Sequence, residues 1–420
     1  MRANSLPSTL GRADCESLDR SDPLRHVRSR FVLTENQIYL DGNSLGLLTH
    51  AARERLRETI EDEWGTSAIQ CWRMHDWIDL PDRLGSRIAR LIGARTDEVT
   101  VADSTSVNLF KLAAACFRGT AGARRTIVTE LGNFSTDLYV LRGLRDLLGG
   151  QVELRAVPRS EVLSAIDEQT ALVVLTHVHY KSGEMFDMSR ITEHAHEHGA
   201  LMLWDLSHSV GALPVELNAA NVDLAVGCTY KYLNGGPGAP AFLYVRKDLQ
   251  ERIPPGIAGW LGHANPFEFC DDFRAAAGIR RHRSGTPGIL GLAALGGSLD
   301  AFDGVDMQIV RRKSLQLGDL FIALVEQECA GHGLKLVTPR AHELRGSHVS
   351  LRHENGYEVM QALIARDVVG DFRAPDVMRF GFTPLYTRYV DCWEAVACLR
   401  QILESGCWRE PSYSVRGAVT

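Results

Sequence analysis

The middle of the chain alternates between short apolar runs and longer stretches of helical periodicity. Between about residues 124 and 246, six short runs are rich in β-branched and other apolar residues. These runs are 126–130, 151–157, 171–178, 200–206, 223–229 and 241–245. Residues 171–175 are continuously apolar, as expected where both faces of a strand are buried. The pattern predicts a mainly parallel α/β sheet covered by helices, including 136–148 and 189–198.

A second pattern follows the apolar, glycine-rich run at 288–297. A long helical stretch covers 307–329, and shorter elements come after it, with strands expected at 347–351 and 377–382 and a helix at 389–403. A chain of 420 residues exceeds the usual size of one core. We therefore expect a loose N-terminal arm over residues 1–50, a large domain over 51–302 and a small C-terminal α+β domain over 303–420.

Composition excludes several classes of function. The net charge of −6 provides no basic surface for a nucleic acid, and no stretch approaches the roughly 20 apolar residues that span a bilayer. The start of the chain lacks the apolar core of a signal peptide. Nine cysteines without a C-x-x-C pair indicate reduced core residues. We expect a cytoplasmic protein that acts on a small molecule, without a nucleic-acid or membrane partner.

An aspartate and a lysine follow two of the apolar runs. Asp205 and then His208 come at the end of one run, and Tyr230 and Lys231 follow the next, directly before a glycine-rich stretch. Open α/β sheets bind ligands at the carboxyl ends of their strands. Pyridoxal phosphate needs a lysine that forms an imine and a carboxylate that keeps the pyridine nitrogen protonated. Each residue alone suits a turn or a solvated surface, but the combination favours a pyridoxal-phosphate site.

Hydroxyl groups precede a predicted helix at 109–117. Residues 103–108 read Asp-Ser-Thr-Ser-Val-Asn, and free N–H groups at a helix start attract anions such as phosphate. An ordinary N-cap at Ser104 or Thr105 is the simpler alternative. Phe134, which follows another apolar run, could lay its ring over the pyridine, with Ser135, Thr136 and Asp137 directly after it.

Three segments carry a resemblance to a known family. They are Tyr-Leu-Asp-Gly-Asn-Ser-Leu-Gly at 39–46, Asp-Leu-Ser-His at 205–208 and Thr-Tyr-Lys-Tyr-Leu-Asn-Gly at 229–235. With them the chain resembles the kynureninase family of fold-type-I pyridoxal-phosphate enzymes, from about residue 35 to 400. The resemblance implies an aspartate aminotransferase-like large domain, a smaller C-terminal domain and pyridoxal 5'-phosphate as the cofactor.

The resemblance also implies roles for individual residues. Lys231 would form the imine, Asp205 would bind the pyridine nitrogen and Phe134 would stack on the ring. Thr105, Ser106 and Tyr230 would hold the phosphate. The residues expected to line the cofactor site are Ser135, Thr136, Asp137, Thr176 and His208. Trp260 and Thr286 would come from the neighbouring subunit of a homodimer.

The resemblance implies fewer residues for the substrate site than for the cofactor site. Arg379 would bind the α-carboxylate of the substrate through its planar fork, Ser44 would lie near the substrate, and Trp72 would add an aromatic wall. The implied reaction is hydrolysis of L-kynurenine, or of its 3-hydroxy form, to anthranilate or 3-hydroxyanthranilate and L-alanine in tryptophan catabolism. Lys231 would act as the base, and Tyr230 would either move a proton at the γ-carbonyl or only bind phosphate.

Other interpretations stay open from the sequence. A cysteine desulfurase or a class V aminotransferase would use Asp205 and Lys231 equally well, and a cofactor-binding protein without turnover is a further class. Residues 194–198 read His-Ala-His-Glu-His and fit the H-x-x-E-H pattern of a zinc peptidase. A solvated helix face explains that polar run more simply.

Overall fold

The computed structural model describes residues 11–118 and 124–417. Its strands are β1 Ile38–Tyr39, β2 Val99–Val101, β3 Thr126–Glu130, β4 Glu153–Val157, β5 Thr170–Thr176, β6 Leu201–Asp205, β7 Leu224–Gly227, β8 Phe242–Val245, β9 Lys335–Leu336, β10 His348–Arg352, β11 Val368–Val369, β12 Asp371–Arg373 and β13 Val377–Gly381. Its α-helices are α1 Arg12–Ser21, α2 His50–Glu58, α3 Gly65–Ser67, α4 Cys71–Met74, α5 Leu80–Leu91, α6 Thr105–Arg118, α7 Ser135–Leu147, α8 Val162–Ala165, α9 Met188–Glu197, α10 Ile289–Leu299, α11 Met307–Glu328, α12 Gly356–Ile364 and α13 Tyr389–Ser405.

The large sheet has seven strands in the order β2-β8-β7-β6-β5-β3-β4. The strands β3 to β7 pair in parallel, and the predicted α/β fold with a mainly parallel sheet is confirmed. One strand differs, because β8 runs antiparallel to both β7 and β2. An antiparallel return needs only a loop, whereas a parallel one needs a crossover. Residues 228–241 therefore stay at the carboxyl edge of the sheet.

Both faces of this sheet are buried. Alternate residues of β5 and β6, such as Val173 and Trp204, enter one core cluster, and their neighbours Leu172 and Leu203 enter another on the opposite face. This alternation follows from the two-residue period of a strand. It explains why the predicted runs are continuously apolar rather than alternating.

The C-terminal part forms a separate antiparallel sheet in the order β12-β13-β10-β9, which packs on α11 and α12. The helix α13 packs on both of these helices. Its core cluster also contains Cys15 from α1 and Leu40. Asp19 of α1 accepts hydrogen bonds from the backbone N–H groups of Tyr389 and Val390 at 2.7 and 3.0 Å, at the start of α13.

The described part of the N-terminal arm is thus packed, not loose, because it carries apolar residues that complete this core. Residues 1–10 of the expected arm lie outside the described residues. The domain boundary near residue 303 stays a prediction.

Composition predicted reduced cysteines and no membrane-spanning segment. None of the nine cysteines forms a disulfide within the described residues, and six of them are buried. Within residues 11–118 and 124–417, no helix combines the length and the apolar character that crossing a membrane requires.

Close packing of α10 on α2 makes one glycine sensitive to substitution. A Cβ at Gly297 would lie 2.6 Å from the Ala51 carbonyl and the Ala52 Cα, whereas a Cβ at the adjacent Gly296 would meet only the Leu84 side chain at 3.5 Å. We expect Gly297→Ala to lower the free energy of unfolding by about 1–3 kcal/mol through overpacking. Gly296→Ala, the matched control, should be neutral or gain up to about 1 kcal/mol from helix propensity. Urea unfolding of both variants tests this, and equal effects would contradict the close approach.

Candidate active site

Polar side chains converge where three neighbouring strands of the large sheet end. Thr176 and Asp205 are paired residues at the carboxyl ends of β5 and β6, and Lys231 follows β7. Together with the start of α6 they border a cleft of about 560 Å³. The cleft is lined by Ser104, Thr105, Ser106, Phe134, Thr136, Asp137, Thr176, Tyr180, Asp205, Ser207, His208, Tyr230 and Lys231. Ser104, Tyr180 and Ser207 were not among the predicted site residues, although Ser104 and Ser207 adjoin predicted positions.

The amine of Lys231 lies inside this cleft. Its Nζ atom is 3.0 Å from His208 Nε2 and 5.9 Å from the ring centre of Phe134. Burial, reinforced by the charge of Lys231, lowers the pKa of His208 well below its ordinary value. The imidazole is therefore neutral and can accept a hydrogen bond from Lys231. The other nitrogen of His208, Nδ1, is buried without a hydrogen-bond partner, so the cleft has a polar group to offer a ligand.

Two buried carboxylates lie beside that amine. Asp205 is 4% exposed, and its Oδ1 atom accepts hydrogen bonds from the N–H and the hydroxyl of Ser207 at 2.8 and 2.6 Å. Burial raises the pKa of Asp205, and burial together with the charge of Asp205 raises the pKa of Asp137 well above its ordinary value. A cation placed against Asp205 would offset this desolvation cost. The protonated ring nitrogen of pyridoxal phosphate fits that requirement.

The start of α6 has donor groups that an anion requires. The helix begins at Thr105, and its first N–H groups have no carbonyl partner within the helix. Thr105 and Ser106 line the cleft, as does Tyr230. The Ser104 hydroxyl lies 3.4 Å from the Val107 N–H, so the simple N-cap interpretation also holds in part. A phosphate group fits beside these N–H and hydroxyl groups.

The glycine-rich segment near the start of the chain supports the lysine loop. Gly46 donates its N–H to the carbonyl oxygen of Tyr230 at 2.8 Å. A Cβ at this position would collide with the backbone carbonyl oxygen of Lys231. Only glycine permits this approach, and the distant segment at 39–46 is thereby tied to the loop that carries the amine.

The predicted substrate arginine belongs to a buried charge cluster. Arg379 is 1% exposed; its Nε atom donates to Asp371 Oδ1 at 2.7 Å, and its Nη2 atom donates to Asp371 Oδ2 and, at 3.1 Å, to Ser44 Oγ. Its Nη1 atom donates to the Tyr180 carbonyl, which connects the cluster to the cleft. Burial alone would raise the pKa of Asp371, but the bonds from Arg379 hold that pKa below its ordinary value. The sequence missed Asp371, whose position opposite Arg379 depends on the pairing of β12 with β13.

Asp41 is the second carboxylate near this cluster. Burial, and next the charge of Asp371, raise the pKa of Asp41 to about 7, while Ser44 and Arg379 oppose the shift. Its Oδ1 atom is buried without a hydrogen-bond partner. The charge state of Asp41 therefore changes near neutral pH, beside the arginine expected to bind the substrate.

Besides Arg379 and Ser44, four predicted site residues lie outside the cleft lining. Trp72 packs edge-on against Trp77 at 5.7 Å, which is a packing role. Trp260 is 39% exposed, and Thr286 lines a separate cavity. Ser135 begins α7 directly after Phe134 without lining the cleft. Their roles in binding stay predictions.

Solved structures with a similar fold include a cysteine desulfurase and the cystine C-S lyase C-DES. An apo cysteine desulfurase from Thermococcus onnurineus NA1 aligns with a TM-score of 0.75 at 17% identity, covering 91% of this chain and 98% of its own. A C-DES variant with glycine covalently linked to its pyridoxal-phosphate cofactor aligns with a TM-score of 0.75 at 16% identity, covering 94% and 99%. At this identity the likeness shows the fold alone.

Sequence comparisons are more specific. Residues 310–399 match the model of the kynureninase C-terminal domain, and residues 81–219 match that of the DegT/DnrJ/EryC1/StrS aminotransferase family. Kynureninases from Burkholderia mallei, Burkholderia pseudomallei and Pseudomonas fluorescens are each 51% identical to the chain over 413 residues, which is 97% of this chain and 99% of each relative. A desulfurase or aminotransferase is not favoured by these matches. Because these full-length relatives are kynureninases, the chain belongs to the kynureninase family.

Proposed function

We propose that the protein is a pyridoxal-phosphate-dependent hydrolase that cleaves L-kynurenine, or its 3-hydroxy form, to the corresponding anthranilate and L-alanine. The observation that carries the proposal is the shared cleft of Lys231 and Asp205 in a chain 51% identical to kynureninases. When bound, the cofactor supplies an electron sink, which allows the bond between the β- and γ-carbons of the substrate to break. Side chains of the protein bind the substrate, orient it and move the protons.

Groups of this chain would hold four parts of the cofactor. Lys231 would bond the aldehyde carbon, and Asp205 would keep the ring nitrogen protonated through a charge-assisted hydrogen bond. Phe134, whose ring centre lies 5.9 Å from the Lys231 amine, would stack on the cofactor ring. The hydroxyls of Thr105 and Ser106 and the first N–H groups of α6 would bind the phosphate.

Two side chains move protons. Lys231 would act as the base at the substrate α-carbon, because its amine lies inside the cleft that would hold the cofactor. Burial raises the pKa of Tyr230, so its phenol stays protonated and can donate to the γ-carbonyl oxygen as water adds to that carbon.

Arg379 binds the α-carboxylate of the substrate. Four hydrogen bonds to Asp371, Ser44 and Tyr180 fix the plane of its guanidinium group. Asp371 occupies the Nε–Nη2 edge of this fixed group, so the substrate carboxylate would bind at the Nη1–Nη2 edge. Asp371 is thus a positioning residue that acts through Arg379.

The protein assembles as a homodimer in which Trp260 and Thr286 complete the partner's site. Exposed aromatic rings surround Trp260, with Phe267 at 5.6 Å and Phe269 at 6.2 Å between ring centres. Such a patch is unusual on a monomer and supports an interface. Free cysteines throughout the chain support a reducing, cytoplasmic location.

The activity itself is tested with purified protein supplied with pyridoxal phosphate. We expect L-kynurenine to yield anthranilate, measured by fluorescence, and alanine in equal amounts. Lys231→Ala should lower the rate by at least about 10²–10⁴-fold and remove the visible cofactor band. Lys335→Ala, on the exposed face of β9, is the control and should leave both unchanged. Persulfide formation from cysteine, or glutamate formation with a keto acid, in place of anthranilate would overturn the proposal.

Tyr230→Phe separates the two roles of this phenol. We expect kcat to fall about 10²–10⁴-fold, because the donor at the γ-carbonyl is lost, with a smaller effect on cofactor affinity. Single-turnover kinetics and cofactor titration measure the two quantities. Tyr139→Phe, at an exposed position of α7, is the control. Weakened cofactor binding with an unchanged chemical step would mean that Tyr230 only binds phosphate.

Asp41 gives the substrate affinity a pH dependence. Because the pKa of Asp41 is raised to about 7, its carboxyl group is mostly neutral below that pH and charged above it. The added negative charge beside Arg379 opposes carboxylate binding, so KM should rise about three- to tenfold between about pH 6 and 8. Asp41→Asn should remove this rise, while Asp271→Asn, an exposed control, should keep it. The same pH profile in the wild type and in Asp41→Asn would contradict the assignment.

The shared site is tested by mixing two inactive proteins. Lys231→Ala and the double variant Trp260→Ala/Thr286→Ala are co-expressed with different tags, so that mixed dimers form. A mixed dimer has one site with both defects and one with none, so random pairing should restore about a quarter of wild-type activity. Mixed dimers without restored activity would show that each chain completes its own site.

A further inference from the structure

A group of potential metal ligands lies on α9, outside the active-site cleft. His194, Glu197 and His198 are spaced three and four residues apart at the carboxyl end of this helix and share one face. One ligand atom from each residue lies within 4.8 Å of the other two. The two imidazole rings have their centres 4.6 Å apart. The cleft residues described above include none of these three.

Backbone carbonyls orient both imidazole rings. His194 Nε2 lies 2.9 Å from the Leu163 carbonyl oxygen of α8, and His198 Nδ1 lies 3.0 Å from the carbonyl oxygen of His194. A carbonyl oxygen only accepts, so these two nitrogens carry the hydrogens. In the neutral rings the lone pairs are therefore on His194 Nδ1 and His198 Nε2. Histidines that ligate metals use the same arrangement, with the second nitrogen donating to a carbonyl.

The contact between Glu197 and His194 favours a positive charge at this place. Glu197 Oε2 lies 3.3 Å from His194 Nδ1, so a carboxylate oxygen faces a nitrogen that has no hydrogen in the neutral ring. Two lone pairs at this distance repel unless a proton or a metal ion lies between them. The dipole of α9 adds negative potential at its carboxyl end, where these residues lie.

We propose that His194, Glu197 and His198 bind one divalent transition-metal ion of the zinc class. Two imidazoles and a carboxylate suit such an ion, whereas magnesium and calcium prefer oxygen ligands alone. Water completes the coordination, because the Glu197 side chain is 63% exposed. The ion ties the end of α9 to α8 through the bond between His194 and Leu163. Its role is stabilisation of the fold, by preferential binding to the folded state.

The proposed metal site is not a peptidase active site, although its residues match the H-x-x-E-H pattern. In that pattern the glutamate is the base and a further residue completes the ligand set. Among residues 11–118 and 124–417, the group contains no fourth histidine, cysteine or carboxylate. Glu197 is therefore a ligand here, and no hydrolytic step follows.

Zinc titration of the holoenzyme tests the proposal. After chelator treatment and dialysis, calorimetry should show one zinc ion bound per chain, and zinc should raise the melting temperature. His194→Ala/His198→Ala should weaken zinc binding by about 100-fold or more and abolish the thermal shift. The control His26→Ala/His50→Ala removes the same number of exposed imidazoles elsewhere and should behave as the wild type.

A second variant keeps the test decisive if the double histidine variant fails to fold. Glu197→Gln keeps both rings and their carbonyl bonds, and it should weaken zinc binding about tenfold. The visible cofactor band reports whether each variant is folded. Absence of zinc binding to the wild type, or an affinity unchanged in either ligand variant, would overturn the proposal. Zinc retained at full affinity would place the ion elsewhere, for example at the exposed Cys270.

Discussion

The active site depends on the burial of Asp205 at the end of β6. A carboxylate with 4% exposure, next to a second buried carboxylate at Asp137, is costly unless cations lie nearby. Lys231 provides one positive charge, and the protonated nitrogen of a bound cofactor would provide another. The electrostatics of the cleft floor thus favour the ligand whose ring must stay protonated to act as an electron sink.

The fold places these groups together with few long side chains. Asp205 and Thr176 end adjacent parallel strands, and the antiparallel turn of the chain into β8 keeps Lys231 at the same edge. Gly46 then packs against the lysine loop from a distant part of the sequence. The smaller C-terminal sheet contributes Arg379, which contacts the cleft through the Tyr180 carbonyl. The site is therefore assembled from three regions of the chain that contact one another through backbone atoms.

Sequence patterns identified the residues whose surroundings are local. Asp205 and Lys231 follow buried strands, and those strands were predicted within a few residues of their bounds. Asp371 could not be found in the same way, because its pairing with Arg379 exists only once β12 and β13 are in register. The edge-on contact of Trp72 with Trp77 is local, and the expected role of Trp72 at the substrate stays a prediction. The packing of Asp19 on α13 joins residues 370 positions apart, which no periodicity reveals.

The central claim is that one particular amine bonds the cofactor. Borohydride reduction of the holoenzyme fixes the cofactor on its lysine, and peptide mapping by mass spectrometry then identifies that lysine. The structure predicts a single phosphopyridoxyl group, on Lys231, because its amine lies between His208 and Phe134 in the cleft. A label on Lys111 or Lys181 instead, with Lys231 unmodified, would contradict the account.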